Sequence, residues 1–207
     1  MSGIFEVKDL KPLLIFAGIL GLIGGILLLN GINIFVTPEI RPDPLYTLNP
    51  DGTVTGLADV EGFVTTPSQQ IDINGAEYRE IESINAYYGL SHAGSELSNI
   101  TLEFSTIISS NGIRLEARAS NRLFTIIEMG SGQSRVNYGT YFETKGEINW
   151  LVGWEGQNLI VVANGTTVYD GAVQATPDGN FRMVQFRGYG SVSKVNLYNN
   201  TAISELI

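Results

Sequence analysis

The sequence has no cysteine, which excludes disulfide staples, thiolate catalysis and cysteine-held zinc. It has one histidine, His92, so a histidine-rich metal site is ruled out and a Ser-His-Asp triad has no support. Within YYGLSHAGS this histidine reads as a loop residue. Positive charge is scarce: 12 lysines and arginines stand against 21 aspartates and glutamates, a formal net charge of −9. Glu6 and Asp9 balance Lys8 and Lys11 in the head of the chain, so the acidic excess lies beyond it. Such a body repels phosphate backbones and anionic headgroups, and nucleic acid is excluded as a partner.

Charge is missing altogether from Leu13 to Leu29, LLIFAGILGLIGGILLL. Continued to Phe35, this run is about 23 residues and about 35 Å of helix, enough to cross a bilayer. It is too long for a signal-peptide core, and no small-x-small cleavage site follows it. It has no polar stripe of the kind a buried core helix shows. The expected organisation is a short inner head (1–11), a transmembrane helix (12–36), a proline-rich neck (37–52) and a β domain (53–207). Lys8 and Lys11 precede the helix and only Arg41 follows within reach, so the N-terminus is expected inside and the β domain outside. Ala17, Gly21 and Gly25 recur at four-residue spacing and form a small-residue face, a candidate surface for close helix packing or self-association.

Pro38, Pro42, Pro44 and Pro50 each fix their own φ and push the preceding residue toward extended backbone, so the neck reads as a semi-rigid spacer. Asn49-Pro50-Asp51-Gly52 reads as the turn that opens the domain. Beyond it no segment has helical periodicity. Ile113, Leu115, Ala117 and Ala119 alternate with Arg114, Glu116 and Arg118, the pattern of a strand with one buried and one wet face. Ile100 to Ile108 precedes it, and Asn111-Gly112 between the two predicts a hairpin. Further strands are expected at Leu123 to Met129, Val136 to Phe142, Ile148 to Trp154, Leu159 to Ala163, Thr167 to Asp170, Phe181 to Arg187 and Val192 to Tyr198. Gly62 to Thr66 and Ile81 to Tyr88 are weaker candidates. Many short strands with Gly and Asn turns mean an all-β sandwich or barrel.

The stretch GEINWLVGWEGQNLIVVANGTTVYDG, Gly146 to Gly171, resembles the central part of concanavalin A-like, laminin G-like jelly rolls, in which a tryptophan-bearing strand leads to a hairpin with an Asn-Gly turn. FRMVQFRGYGSVSKVNLYNN, Phe181 to Asn200, resembles their last core strand and return strand. The resemblance implies an antiparallel β-sandwich of two sheets, often with a sugar or protein partner. Several relatives hold calcium, for which Asp170, Asp178 and Asn180 are the candidate oxygens here. Their simpler role is turn formation.

Glycoside hydrolases of this kind carry alternating carboxylates on one strand. No E-x-D-x-x-E pattern occurs, and Glu80 with Glu82 does not make one, so no enzyme activity and no cofactor are expected. Trp150, Val152 and Trp154 share one strand face and are expected in the core. Tyr138 and Tyr141 fall on opposite faces of a regular strand, so at least one is exposed and a ligand-binding candidate. Asn99, Asn164 and Asn199 each head an N-x-T acceptor pattern for N-glycosylation. The expected function is a membrane-anchored, non-enzymatic surface or structural protein of a cell envelope or membrane-containing virion, presenting its jelly roll for protein contacts. The alternatives are a glycan-binding adhesin or receptor module, and an accessory subunit of a membrane complex or filament.

Overall fold

The computed structural model describes residues 41–56, 60–92, 99–119, 122–173 and 181–207. The expected transmembrane helix, with Ala17, Gly21 and Gly25, lies outside the described residues, as do Asp178 and Asn180. Among the described residues no helix is long and apolar enough to cross a membrane.

Arg41–Ile207 is a compact unit. Its strands are β1 (Tyr46–Leu48), β2 (Val54–Gly56), β3 (Val60–Val64), β4 (Ser68–Ile73), β5 (Ala76–His92), β6 (Ile100–Ala119), β7 (Arg122–Met129), β8 (Gln133–Val136), β9 (Phe142–Glu143), β10 (Glu147–Glu155), β11 (Asn158–Ala163), β12 (Thr166–Ala172), β13 (Phe181–Val192) and β14 (Val195–Asn199). A turn of 3-10 helix, Ile203–Glu205, follows. All pairings among these strands are antiparallel.

Three long strands, β5, β6 and β13, pass from one layer of a β-sandwich to the other. The first layer holds β12-β11-β10, the first part of β6, then β14-β1-β2, with the end of β13, the start of β5 and β4. The second holds β9-β8-β7, the last part of β6, the start of β13, the end of β5 and β3. Contacts between inner faces show that the layers stack. Phe104 on β6 meets Phe186 on β13 edge-on at 4.9 Å. Trp154 Nε1 on β10 donates to Thr125 Oγ1 on β7 at 2.9 Å. Tyr88 on β5 donates its hydroxyl to the Leu48 carbonyl on β1 at 3.1 Å.

The core is what the alternation predicts. Trp150 is 1% exposed and Trp154 5%, with Val152 buried between them. Trp150 Nε1 is satisfied by Thr106 Oγ1 at 2.8 Å, so burial leaves no orphan donor. Asn164-Gly165 (φ 47° and 77°) closes β11 onto β12 as a two-residue turn with both centres left-handed. Asn74-Gly75 (φ 55° and 83°) does the same for β4 and β5, with the same Asn-Gly signal in the sequence.

Four expectations change. Tyr46–Leu48 is not neck but a strand paired with β14 and β2, with Tyr46 and Leu48 buried, because its alternate apolar residues reach the core. Asn111-Gly112 is not a hairpin: β6 runs through it. There β13 pairs with Ile113 and then with Ile108, so the backbone between bulges out opposite Tyr189. The Val136 to Phe142 strand is broken at Asn137 and Tyr138, both left-handed (φ 47° and 59°). His92 is not a loop residue but ends β5, opposite Val60.

Candidate functional site

The three crossing strands all break register at one place. On β5 the pairing with β13 jumps from Tyr88 to Ser83, leaving Ile84 outside. On β6 the bulge carries Asn111 and Gly112. On β13 the bend is Gly188-Tyr189-Gly190. A Cβ at Gly188 (φ 124°) would sit 2.4 Å from the Gly112 carbonyl oxygen, so only glycine allows the bulge to approach. An open depression of about 360 Å³ lies at this bend, lined by Ile84, Arg114, Glu128, Arg135, Tyr141, Arg187 and Tyr189 among others.

Its polar floor is built by register. The outward residues Arg135, Glu128, Arg114 and Arg187 are direct cross-strand partners in one row over β8, β7, β6 and β13. Arg114 donates to Glu128 at 2.6 Å, and Arg135 Nε donates to the other Glu128 oxygen. In the next row Glu116 is opposite Gln185 and is 1% exposed. Its carboxylate accepts from Arg118 at 2.8 Å and Gln185 at 2.7 Å, and pairs with Arg187 at 2.6 Å. Burial alone would raise the Glu116 carboxyl. Hydrogen bonds from Arg118 and Gln185, with the Arg187 charge, outweigh it and hold the group below the usual carboxylate range. Glu128 is held low in the same way: desolvation is overcome by the bonds from Arg135 and Arg114.

The aromatic rim comes from the broken strand. Asn137 clamps the turn: its backbone N–H bonds to the Ile126 carbonyl at 2.8 Å and its side-chain oxygen accepts from the Ile126 N–H at 2.9 Å. Gly139 N–H closes the turn on Val136 at 2.8 Å. The left-handed backbone at Tyr138, unusual for a bulky residue, places its ring on the same guanidinium as Tyr141 instead of on the opposite face. Arg135 lies 5.2 Å from the Tyr138 ring centre and 4.9 Å from that of Tyr141. Both rings are exposed, Tyr138 at 57% and Tyr141 at 53%, and Tyr189 is exposed at 36%. Arg135 and Arg187 were not singled out in the sequence. Only the β7–β8 pairing brings Arg135 to Glu128 and only the β6–β13 pairing brings Arg187 to Glu116, and no local pattern carries that information.

The other sequence candidates are dispersed. Asp170 is exposed on β12 and accepts from Asn158 at 2.7 Å. Among the described residues no cluster of three or more metal-ligating side chains occurs. Glu80 and Glu82 both accept from Gln69, at 2.8 and 3.5 Å. Asn99 precedes β6 and its side-chain oxygen accepts from Gly156 N–H. Asn164 lies in its exposed turn and accepts from Asn149 N–H. Asn199 ends β14, half-buried. A second depression, of about 400 Å³, lies on the outer side of the other layer, lined by Arg41, Glu103, Asn149, Lys194 and Asn196 among others. Its two aromatics, Phe104 and Trp150, are buried, and Arg41 already pairs with Glu103 at 2.6 Å.

No protein-family model matches the chain, and no curated protein matches it. Solved structures do. Domain 4 of AbnA, a GH43 extracellular arabinanase from Geobacillus stearothermophilus solved in complex with arabinotriose, superposes with a TM-score of 0.55 at 8% identity, over 79% of this chain and 96% of that one. A mutant of Trypanosoma rangeli sialidase displaying trans-sialidase activity gives 0.54 at 11% identity, over 80% of this chain and 32% of that one. A mutant of HCR/D gives 0.59 at 10% identity, over 81% and 51%. The chain spans only 19% of the length of a further match, a sialidase. These likenesses place the fold among jelly-roll β-sandwiches.

Proposed function

We propose that Arg41–Ile207 is a non-catalytic carbohydrate-binding domain, held at a membrane surface by the apolar run Leu13 to Phe35, and that the bend depression is its site. The observation that carries this reading is the exposed Tyr138–Arg135–Tyr141 stack beside the lining residue Tyr189. Sugars present an apolar C–H face and a rim of hydroxyls, and they are held by flat aromatic rings next to fixed hydrogen-bonding groups. The depression offers both. The second depression lacks an exposed ring. That AbnA domain 4 was solved with arabinotriose adds support from a protein of the same fold.

The site is ill-suited to glycoside hydrolysis. That reaction needs one carboxyl protonated near neutral pH. Glu116 and Glu128 are instead held as anions by arginines. The test is a glycan array probed with the detergent-solubilised chain. Retention of one glycan class, lost in Tyr141→Ala and Tyr189→Ala, supports the proposal. Retention that survives both substitutions places the site elsewhere. Hydrolysis of a retained glycan would overturn the non-catalytic assignment. Ile84, 56% exposed beside the same bend, favours protein contact as the second reading. A stoichiometric protein partner released by Ile84→Asp would establish it.

A further inference from the structure

We infer that the ligand of the bend depression is an acidic oligosaccharide, its anionic oxygens taken by Arg135, Arg114 and Arg187. This deepens the carbohydrate reading and rests on it. The argument is charge placement. The chain carries −9, yet this face gathers Arg114, Arg118, Arg135 and Arg187 around two carboxylates, Glu116 and Glu128. Two positive charges are left over where the rest of the protein is acidic.

Arg114 and Arg187 are direct cross-strand partners with side chains on one face. Like charges in that position destabilise a sheet. Glu116 lies diagonal to Arg187 across the ladder, at 2.6 Å, and two residues along the same strand from Arg114, at 3.9 Å, but it also serves Arg118. Glu82 and Glu143 sit opposite Tyr189 and Gln133 in the ladders, and neither pairs with a guanidinium among the described residues. Donors remain as well. Arg135 is bonded through Nε only, so both its terminal nitrogens have no acceptor among the described residues. Arg187 meets Glu116 through one terminal nitrogen and its other terminal nitrogen has no acceptor among the described residues, while its Nε is buried out of a ligand's reach. The carboxylates fix the forks in place and leave their terminal N–H groups on the depression. A planar carboxylate or a sulfate on a sugar ring satisfies such donors, while the ring itself lies on Tyr141 or Tyr189.

The test uses the full chain in detergent micelles and three probes: trigalacturonate, a heparin-derived tetrasaccharide and neutral galactotriose. One acidic probe is expected to bind at least about tenfold tighter than galactotriose, which is one charge-assisted contact's worth of discrimination. That preference should shrink as salt rises from about 0.05 to about 0.5 M, because the contacts lie at the surface. Arg135→Gln, at the rim, should bring the acidic probe down to the affinity of galactotriose. Arg187→Lys, which keeps the charge and loses the fork, should weaken trigalacturonate more than the sulfated probe. The better of the two acidic probes identifies the anionic group. Equal binding of acidic and neutral probes, all lost in Tyr141→Ala, overturns the charge inference and leaves the carbohydrate reading standing. Binding of none of the three overturns the acidic-ligand inference, and retention or loss of every glycan on the array then decides the carbohydrate reading.

Discussion

Glu116→Gln perturbs the residue that holds the arginine face together. Glu116 is 1% exposed and compensates Arg187 at 2.6 Å and Arg118 at 2.8 Å, while Gln185 donates to it at 2.7 Å. Glutamine keeps the shape but removes the charge, and turns one oxygen into a donor facing donors. Removing one partner of a buried ion pair costs about 3–5 kcal/mol. The arginine side chains keep 23% and 34% of their exposure, so water recovers part of this and about 2–3 kcal/mol is expected. With a urea slope of about 2 kcal/mol per M, the midpoint should fall by about 1–1.5 M. Tryptophan fluorescence reads it, because Trp150 and Trp154 are both buried. The pH dependence has a definite sign. The folded carboxyl lies below its ordinary value of 4.5, so its contribution is complete above that value and is lost as pH falls through the folded pKa. The gap between wild type and Glu116→Gln should therefore be widest at neutral pH and close under acid. A midpoint within about 0.3 M of wild type at pH 7 would refute the claim that this network holds the face, since that shift is under about 1 kcal/mol.

Three further outcomes are expected, two from the structure and the last from the sequence alone. Trp154→Ala should cost about 3–5 kcal/mol from the cavity, with Thr125 losing its partner as well, whereas Tyr138→Ala at an exposed position should stay within about 0.5 kcal/mol; denaturant midpoints decide between them. Gly188→Ala should lower stability by at least about 1 kcal/mol, because its Cβ would meet the Gly112 carbonyl at 2.4 Å and its φ of 124° disfavours a side chain; thermal melts read it. Gly21→Leu should disrupt self-association or co-purification in mild detergent if the small-residue face of the anchor packs against another helix; an unchanged elution profile would mean that the face is only compositional.

The reading of the core followed from alternation. Trp150, Val152 and Trp154 share a buried face because strand periodicity is two, and nothing elsewhere in the chain competes with that. The site was legible only in part. Arg114, Glu116 and Arg118 were visible as a wet face, and Tyr138 and Tyr141 as exposed candidates. The geometry that joins them was not. Asn-Gly chemistry is the same in a hairpin and in a bulge, and only the pairing of β13 on both sides of residues 109–112 decides between them. Tyr138 comes over Arg135 because Asn137 bonds back to Ile126, a contact that a two-residue period cannot express. Arg187 reaches Glu116 across 71 positions of sequence through strand register alone.

The claim that a carbohydrate sits at the bend is tested most directly by hydrogen–deuterium exchange of the full chain in detergent, with and without saturating trigalacturonate or galactotriose. The account predicts slower exchange in peptides covering residues 126–141 and 183–190. It predicts no change in those covering residues 147–155 and 194–199, on the other layer. Protection confined to that second set, or none at all with a bound sugar, would contradict it.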